Sequence, residues 1–257
     1  MRITFLSYTL LIALASCAQS TEGRAILHYA LTFLERPYVA YTLEAGNKEQ
    51  LIMNLNEVDC TTYVEYALAL TLAKGDTLCA QNYLKRIRYR DGMIDDYVSR
   101  LHYITEWIEN GVRYGFFEDI TSRHSTDTLQ VELYFMSSHP NAYRHLKDSP
   151  TRVAQMDSIE RKLSGQTIHY LPKEKLPAEG LPWIKAGDIL CITTNIPGLD
   201  VVHLGFAYYK DGKLHLLHAS SSQKKVLVSE DSFTDMFPRN KTWTGVRVLR
   251  INSSNNK

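Results

Sequence analysis

The chain has 257 residues, 44% of them hydrophobic and 22% charged, enough for one domain with a substantial core or two small ones. A formal net charge of +1 gives neither nucleic acid nor an acidic membrane surface electrostatic support as a partner. The four cysteines include no CxxC pair, so a thiol-redox or zinc-ribbon spacing is absent.

The N-terminus reads as an address rather than as fold. "MRITFLSYTLLIALASC" sets Arg2 before an apolar run and small residues before Cys17. That is the layout of a bacterial export signal, and the run is too short for a comfortable membrane span. "LASC" matches a lipobox, where a signal peptidase cuts and Cys17 becomes the lipidated first residue. A plain signal peptide with an incidental cysteine is the alternative. The expectation is a lipoprotein signal over 1–17, export to the periplasmic face of the envelope, and a lipid anchor. No later segment reaches the ~20 apolar residues of a transmembrane helix. Cys60, Cys79 and Cys191 remain, an odd number that leaves one free thiol in an exported protein. Cys79 and Cys191 read either as a pair or as two buried apolar residues.

After a polar tether, "EGRAILHYALTFLERPY" shows helical periodicity through Ile26, Ala30, Phe33 and Leu34, stopped near Pro37. A loop containing "EAGNKEQ" leads to a helix that opens at "VDCTT" and closes at "GDT", 75–77. Residues 78–116 read as mostly helical with "YRDG" as a break. Residues 120–165 are polar and mixed, with a helix in "MDSIERKLSG" closed by Gly165. From about 166 short β-rich runs come in succession: "GDILCITTN", "VVHLGFAYY", "KLHLLHASS", "KVLVSE" and "GVRVLRI". Helices first and strands second is an α+β order. The expected organisation is a single catalytic domain over 18–257, helical over about 22–165 and β-rich over about 166–251.

Cys60 lies in the first turn of its helix, with Val64, Ala67, Leu68 and Thr71 following on one apolar face. The first-turn N–H groups and helix dipole favour a thiolate there, and could hold a developing oxyanion. A cysteine on an apolar helix face is also a common buried residue. "VVHLGFAYYKDGKLHLLHASS" reads as a hairpin turning at Asp211-Gly212. A two-residue turn pairs Tyr209 with Leu214 and Ala207 with Leu216, which brings His203 and His218 to one face as diagonal neighbours. Gly205 and Ala207 leave room beside them. Val202, Leu204, Phe206 and Tyr208 form the opposite, core-like row. A bulge would break this register. A thiol near a histidine that is oriented by a third polar group is the general layout for a cysteine nucleophile.

"VDCTTYVE", "GDILCI", "HLGFAYYKDGKLHLLHASS" and the following "KKV" resemble, in this order, the motifs of the NlpC/p60 cell-wall hydrolases. The resemblance implies a papain-like core, a cysteine-bearing helix on a small antiparallel sheet or barrel, with a largely helical insertion. It implies Cys60 as nucleophile, His203 as general base and His218 as the group that orients it. "RPYVAYTLE" and "YRDGMIDDYVSRLHYITEWIENG" resemble the narrower amidase-like branch, which removes peptide from N-acetylmuramic acid. Tyr41 stands where that branch usually has glycine, which bears on the pocket near Tyr38.

The export signal and the resemblance together imply an exported cysteine N-acetylmuramoyl-L-alanine amidase acting on peptidoglycan fragments. The branch resemblance points to small anhydro-muropeptides and cell-wall recycling. The alternatives are a D-glutamyl-diamino acid endopeptidase of the same superfamily, a noncatalytic peptidoglycan-binding lipoprotein, and a lipid acyltransferase on the same scaffold. No cofactor is expected, and the partners are muropeptides and a membrane anchor on a monomer. Substrate-binding candidates are Tyr38, Arg100, His102 and Asp200. Arg100 suits a stem-peptide carboxylate or ties the insertion to the core, and Asp200 binds an ammonium group or caps a loop. Asp59 reads as a cap. The remaining histidines show no metal-like clustering, so no metal site is expected.

Overall fold

A computed structural model describes residues 21–252. The signal segment over 1–17, and Cys17 with it, lies outside the described residues. Helices α1 (Thr21–Leu31), α2 (Cys60–Leu72), α3 (Thr77–Arg88) and α4 (Ile104–Arg113) come first. Strands β1 (Phe117–Asp119) and β2 (Thr128–Gln130), then helices α5 (Phe135–Ser138) and α6 (Pro150–Leu163), complete the first part. The second part holds β3 (Thr167–His169), β4 (Leu171–Pro172), β5 (Ile189–Thr194), β6 (Val201–Lys210), β7 (Lys213–Ser220), β8 (Lys225–Val228), α7 (Phe233–Met236) and β9 (Trp243–Ile251). This is a mixture of helix and antiparallel sheet. The two short strands before 166 depart from the expected helix-then-strand division, because β1 and β2 find partners distant in sequence. β1 pairs with β9, and β2 with β3.

The main sheet runs β1-β9-β5-β6-β7-β8, with β4 also on β9. Alternation along β5 sorts its side chains to two cores. Ile189 and Cys191 pack with α1, α2, α3 and α4, whereas Leu190 and Ile192 pack with Leu171, Ile184, Phe233, Phe237 and Trp243. A sheet covered on both faces explains why "ILCI" is a continuous apolar run. A third cluster, built on Tyr97, Tyr103, Leu133, Met136, Leu146 and Met156, holds the insertion together.

Helix α2 is more central than one apolar face implies. Thr62 through Leu70 are all buried, with α1 and α3 on its flanks and β6 and β7 beneath it. A helix enclosed on every side is apolar on every side, and its one acid, Glu65, is neutralised by Arg88 at 2.7 Å. Burying a side chain such as Leu68 stabilises the fold by about 1.5–3 kcal/mol.

The β6–β7 hairpin takes the expected register, with Ala207 opposite Leu216 and Tyr209 opposite Leu214. Asp211 and Gly212 have φ of 51° and 74°, the left-handed pair that a tight hairpin turn requires. Val202 departs from its expected row. A register shift between β5 and β6, where Ile192 pairs with His203 and Thr193 with Val201, inserts Val202 as an extra residue. It therefore turns from the face of Leu204 to the opposite core.

Candidate active site

Asp59 fixes where α2 begins. Its backbone is extended, its carboxylate accepts the Thr62 N–H at 2.8 Å, and the Thr62 hydroxyl accepts the Asp59 N–H at 2.9 Å. This reciprocal cap is worth on the order of 1 kcal/mol and sets Cys60 as the first helical residue. Upstream, the Val39 N–H donates to Val58 at 3.0 Å and the Val58 N–H to Pro37 at 3.1 Å, anchoring the approach to the cysteine.

The Cys60 thiol is half-buried. Burial, and then the Asp59 carboxylate, push it up to about 12, against hydrogen bonds from Thr61 and from the Leu204 backbone that favour the thiolate. Burial and the Asp59 charge thus oppose the activation expected from the helix N-terminus. The residue that caps the helix also places a negative charge beside the sulfur, and packing takes the sulfur out of water. The Leu204 contact joins the start of α2 to β6 at the residue following His203.

His203 and His218 meet across the hairpin. His203 Nε2 lies 2.6 Å from His218 Nδ1, with the rings perpendicular and their centroids 4.9 Å apart. Gly205 makes room, since a Cβ there would stand 2.9 Å from the Leu217 carbonyl and 3.0 Å from His218 Cβ. Burial, then the neighbouring His218, push His203 well below its ordinary range, and burial takes His218 down to about 4. Both rings are therefore neutral near pH 7. When His203 carries its proton on Nε2 and donates it to His218, its Nδ1 is left as a free base. Trp243 stacks over His203 at 5.8 Å and 14°, backed by Phe233 and Phe237. Sequence reasoning missed Trp243, since nothing in "NKTWTGV" signals that β9 places it over a histidine 40 residues earlier.

A cleft of about 650 Å³ opens beside the first turn of α2. Asp59, Thr61 and Thr62 line one side, and the insertion supplies Tyr97, Arg100, His102 and Tyr143 on the other. Tyr38 is half-buried near the thiol, its phenol raised to about 12 by burial first and then by the charges of Cys60 and Asp59. His102 places Nε2 2.9 Å from the Tyr97 carbonyl, and burial, then Arg100, take it down to about 3. Arg100 lines the cleft, but its guanidinium is already paired. It donates to Glu49 through Nε and Nη2 at 2.7 Å each, to Glu44 at 2.8 Å and to the Leu43 carbonyl at 2.8 Å. That arrangement ties the insertion to the 43–49 loop, the structural one of its two expected roles. Asp200 is not among the residues lining the cleft. Its buried carboxylate accepts the Thr105 N–H at 2.6 Å and its own strand's Val201 N–H at 2.8 Å, capping α4 from another element. An ammonium-binding role for Asp200 is therefore replaced by a capping one, because its oxygens are turned to backbone donors.

Tyr41, at the cleft mouth, has φ of 63° and is 71% exposed. A left-handed backbone costs a non-glycine residue about 1–2 kcal/mol. The glycine usual in the resembling branch would adopt it freely.

Cys79 and Cys191 are both unpaired. Cys191 is buried, as one reading expected, but Cys79 is exposed on the first turn of α3. Among the described residues, no three His, Cys, Asp or Glu side chains gather as a metal site, and no helix is long and apolar enough to cross a membrane.

Comparison with known proteins gives the chain its class. A model of N-acetylmuramoyl-L-alanine amidase-like proteins matches residues 28–245, and the chain is an amidase-like enzyme. A Bacteroides uniformis structure described as an N-acetylmuramoyl-L-alanine amidase is 53% identical, with a TM-score of 0.89 over 91% of this chain and 100% of that one. A Bacteroides fragilis structure described provisionally as a xylanase is 52% identical, with a TM-score of 0.86 over 88% and 100%. A Legionella pneumophila protein, 22% identical with a TM-score of 0.71, shares the fold. No curated protein gives a match. The chain belongs to the AmiA-like, N-acetylmuramoyl-L-alanine amidase-like family.

Proposed function

We propose that the protein is a cysteine amidase of the NlpC/p60 type that hydrolyses the bond between N-acetylmuramic acid and L-alanine in peptidoglycan fragments. The observation that carries the reading is the His203–His218 contact of 2.6 Å, on the strand whose Leu204 backbone reaches the Cys60 sulfur. Burial disfavours both the Cys60 thiolate and the His203 imidazolium, which favours general-base transfer over a preformed ion pair. His203 Nδ1 takes the thiol proton as the sulfur attacks the lactyl carbonyl. His218 accepts the Nε2–H of His203 and stabilises the imidazolium that forms. First-turn N–H groups of α2 not taken by Asp59 would serve the developing oxyanion. The imidazolium then protonates the leaving L-alanine amine, and water, activated by the same ring, hydrolyses the thioester.

The cleft, whose lining includes Asp59, Thr61 and Thr62 beside Cys60 but not Cys60, His203 or His218 themselves, is where the amidase reading seats the sugar. The amidase must seat a bulky sugar on the acyl side, and the insertion builds a wall of Tyr97, Arg100 and Tyr143 opposite the helix start. A glycosidase needs two carboxyl groups flanking the sugar bond. Here all three acids lining the cleft are engaged: Asp59 is the α2 cap, Glu65 is held by Arg88 and Glu44 by Arg100.

The test is digestion of a disaccharide tripeptide followed by mass spectrometry. Free disaccharide plus an intact peptide beginning with L-alanine is the expected result. Release of an L-alanyl-D-glutamate dipeptide would replace this reading with the endopeptidase. Binding without cleavage would point to the noncatalytic lipoprotein. The proposed location is the periplasmic face of the envelope, anchored through a lipidated Cys17.

A further inference from the structure

We propose that Tyr41, together with Tyr143, forms an aromatic subsite at the cleft mouth that seats a pyranose ring of the glycan portion of the substrate. The inference rests on the amidase reading and names the residues that would recognise the sugar.

Tyr41 combines two features that folding alone does not explain. It is 71% exposed, so burial does not hold it in place, and its left-handed backbone disfavours a side chain. Such a conformation persists only where the surroundings impose it. Here the Glu44 N–H closes the turn onto the Tyr41 carbonyl at 3.0 Å. Arg100 grips the Leu43 carbonyl at 2.8 Å and Arg144 the Glu44 carbonyl at 2.8 Å. His145 and Arg100 both pair with the Glu44 carboxylate, at 3.2 and 2.8 Å. Arg100, Arg144 and His145 from the insertion thus hold a four-residue turn whose outcome is one tyrosine at the cleft.

Tyr143 stands near it, half-buried, its phenol raised to about 12 by burial and then by Tyr41. Both phenols line the same cleft, and a tyrosine ring can offer an apolar face to the C–H side of a hexopyranose and its hydroxyl to the polar edge. A peptide strand would draw on backbone donors and acceptors or on charge; here the Arg100 guanidinium is already paired with carboxylates.

The experiment uses the full chain carrying Cys60→Ala, titrated by calorimetry with a disaccharide tripeptide and with the same tripeptide lacking sugar. Adding Tyr41→Gly should weaken binding of the sugar-bearing ligand about tenfold and leave the sugar-free tripeptide unchanged. Tyr41→Phe should retain sugar affinity. In the enzyme with Cys60 intact, Tyr41→Gly should raise KM by a similar factor with kcat within about twofold. The Tm of Tyr41→Gly should not fall, since glycine relieves the turn, and this separates a binding loss from a folding loss. Equal affinity with and without Tyr41→Gly in the Cys60→Ala background, while the chain with Cys60 intact cleaves the sugar-bearing ligand, would overturn the subsite and leave the amidase reading standing. An equal loss for both ligands would also overturn it. No binding of the sugar-bearing ligand by the Cys60→Ala chain, together with no cleavage of it by the chain with Cys60 intact, would overturn both.

Discussion

Replacing Arg100 by alanine tests whether this residue is an anchor or a substrate ligand. Its side chain is 8% exposed and its main partner Glu49 only 3%. Arg100→Ala leaves Glu49 buried with the Tyr89 hydroxyl at 2.6 Å as its remaining strong donor. Removing one partner of a buried ion pair costs about 3–5 kcal/mol. Because Tyr89 remains and Glu44 keeps His145, the lower end applies, about 3 kcal/mol. At roughly 2–4 °C per kcal/mol for a chain of this size, Tm should fall by about 6–12 °C. The assay is thermal and urea unfolding without ligand, beside the double variant Arg100→Ala/Glu49→Gln, which should recover part of the loss because no charge is then left unpaired. A ligand-free loss under about 1 kcal/mol, accompanied by a large rise in KM, would refute the anchor and restore the carboxylate-binding role.

Cys60→Ala and His203→Ala should each lower hydrolysis on the order of 10³-fold or more while leaving the fold intact, since nucleophile and base act as one unit. His218→Ala should cost less, and steady-state kinetics giving the larger loss at His218 would reverse the assigned roles. Stability should fall as pH drops below about 6.5. His218 and His102 are held at about 4 and about 3 against an ordinary 6.5, so in that window the unfolded chain binds more protons. Urea midpoints that stay flat from pH 7 to 4 would contradict the burial of these rings. A thiol reagent at neutral pH should modify exposed Cys79 before Cys60, by peptide mapping, because packing and Asp59 suppress the Cys60 thiolate. Faster modification of Cys60 would show a preformed ion pair with His203.

What the sequence determined by itself was local. Asp59 followed by Cys60, Thr61 and Thr62 specifies a helix start, because a carboxylate and a hydroxyl three residues apart satisfy the first orphan N–H groups without outside help. Asp211-Gly212 specifies the hairpin turn, and a two-residue turn sets the register that brings His203 and His218 together. The family motifs were legible for the same reason, since each lies within one helix start or one hairpin. The tertiary structure decided whatever depends on partners far along the chain. Arg100 finds Glu44 and Glu49 more than 50 residues away, Asp200 caps a helix 95 residues earlier, and Trp243 reaches His203 from another strand. Val202 turns over because an extra residue in one strand reverses alternation, which neither strand signals alone. The charge state of Cys60 depends on burial by elements brought together only in the folded chain. A dipole at a helix start is a property of the sequence's local geometry, but desolvation is a property of what covers it, and here desolvation opposes the thiolate.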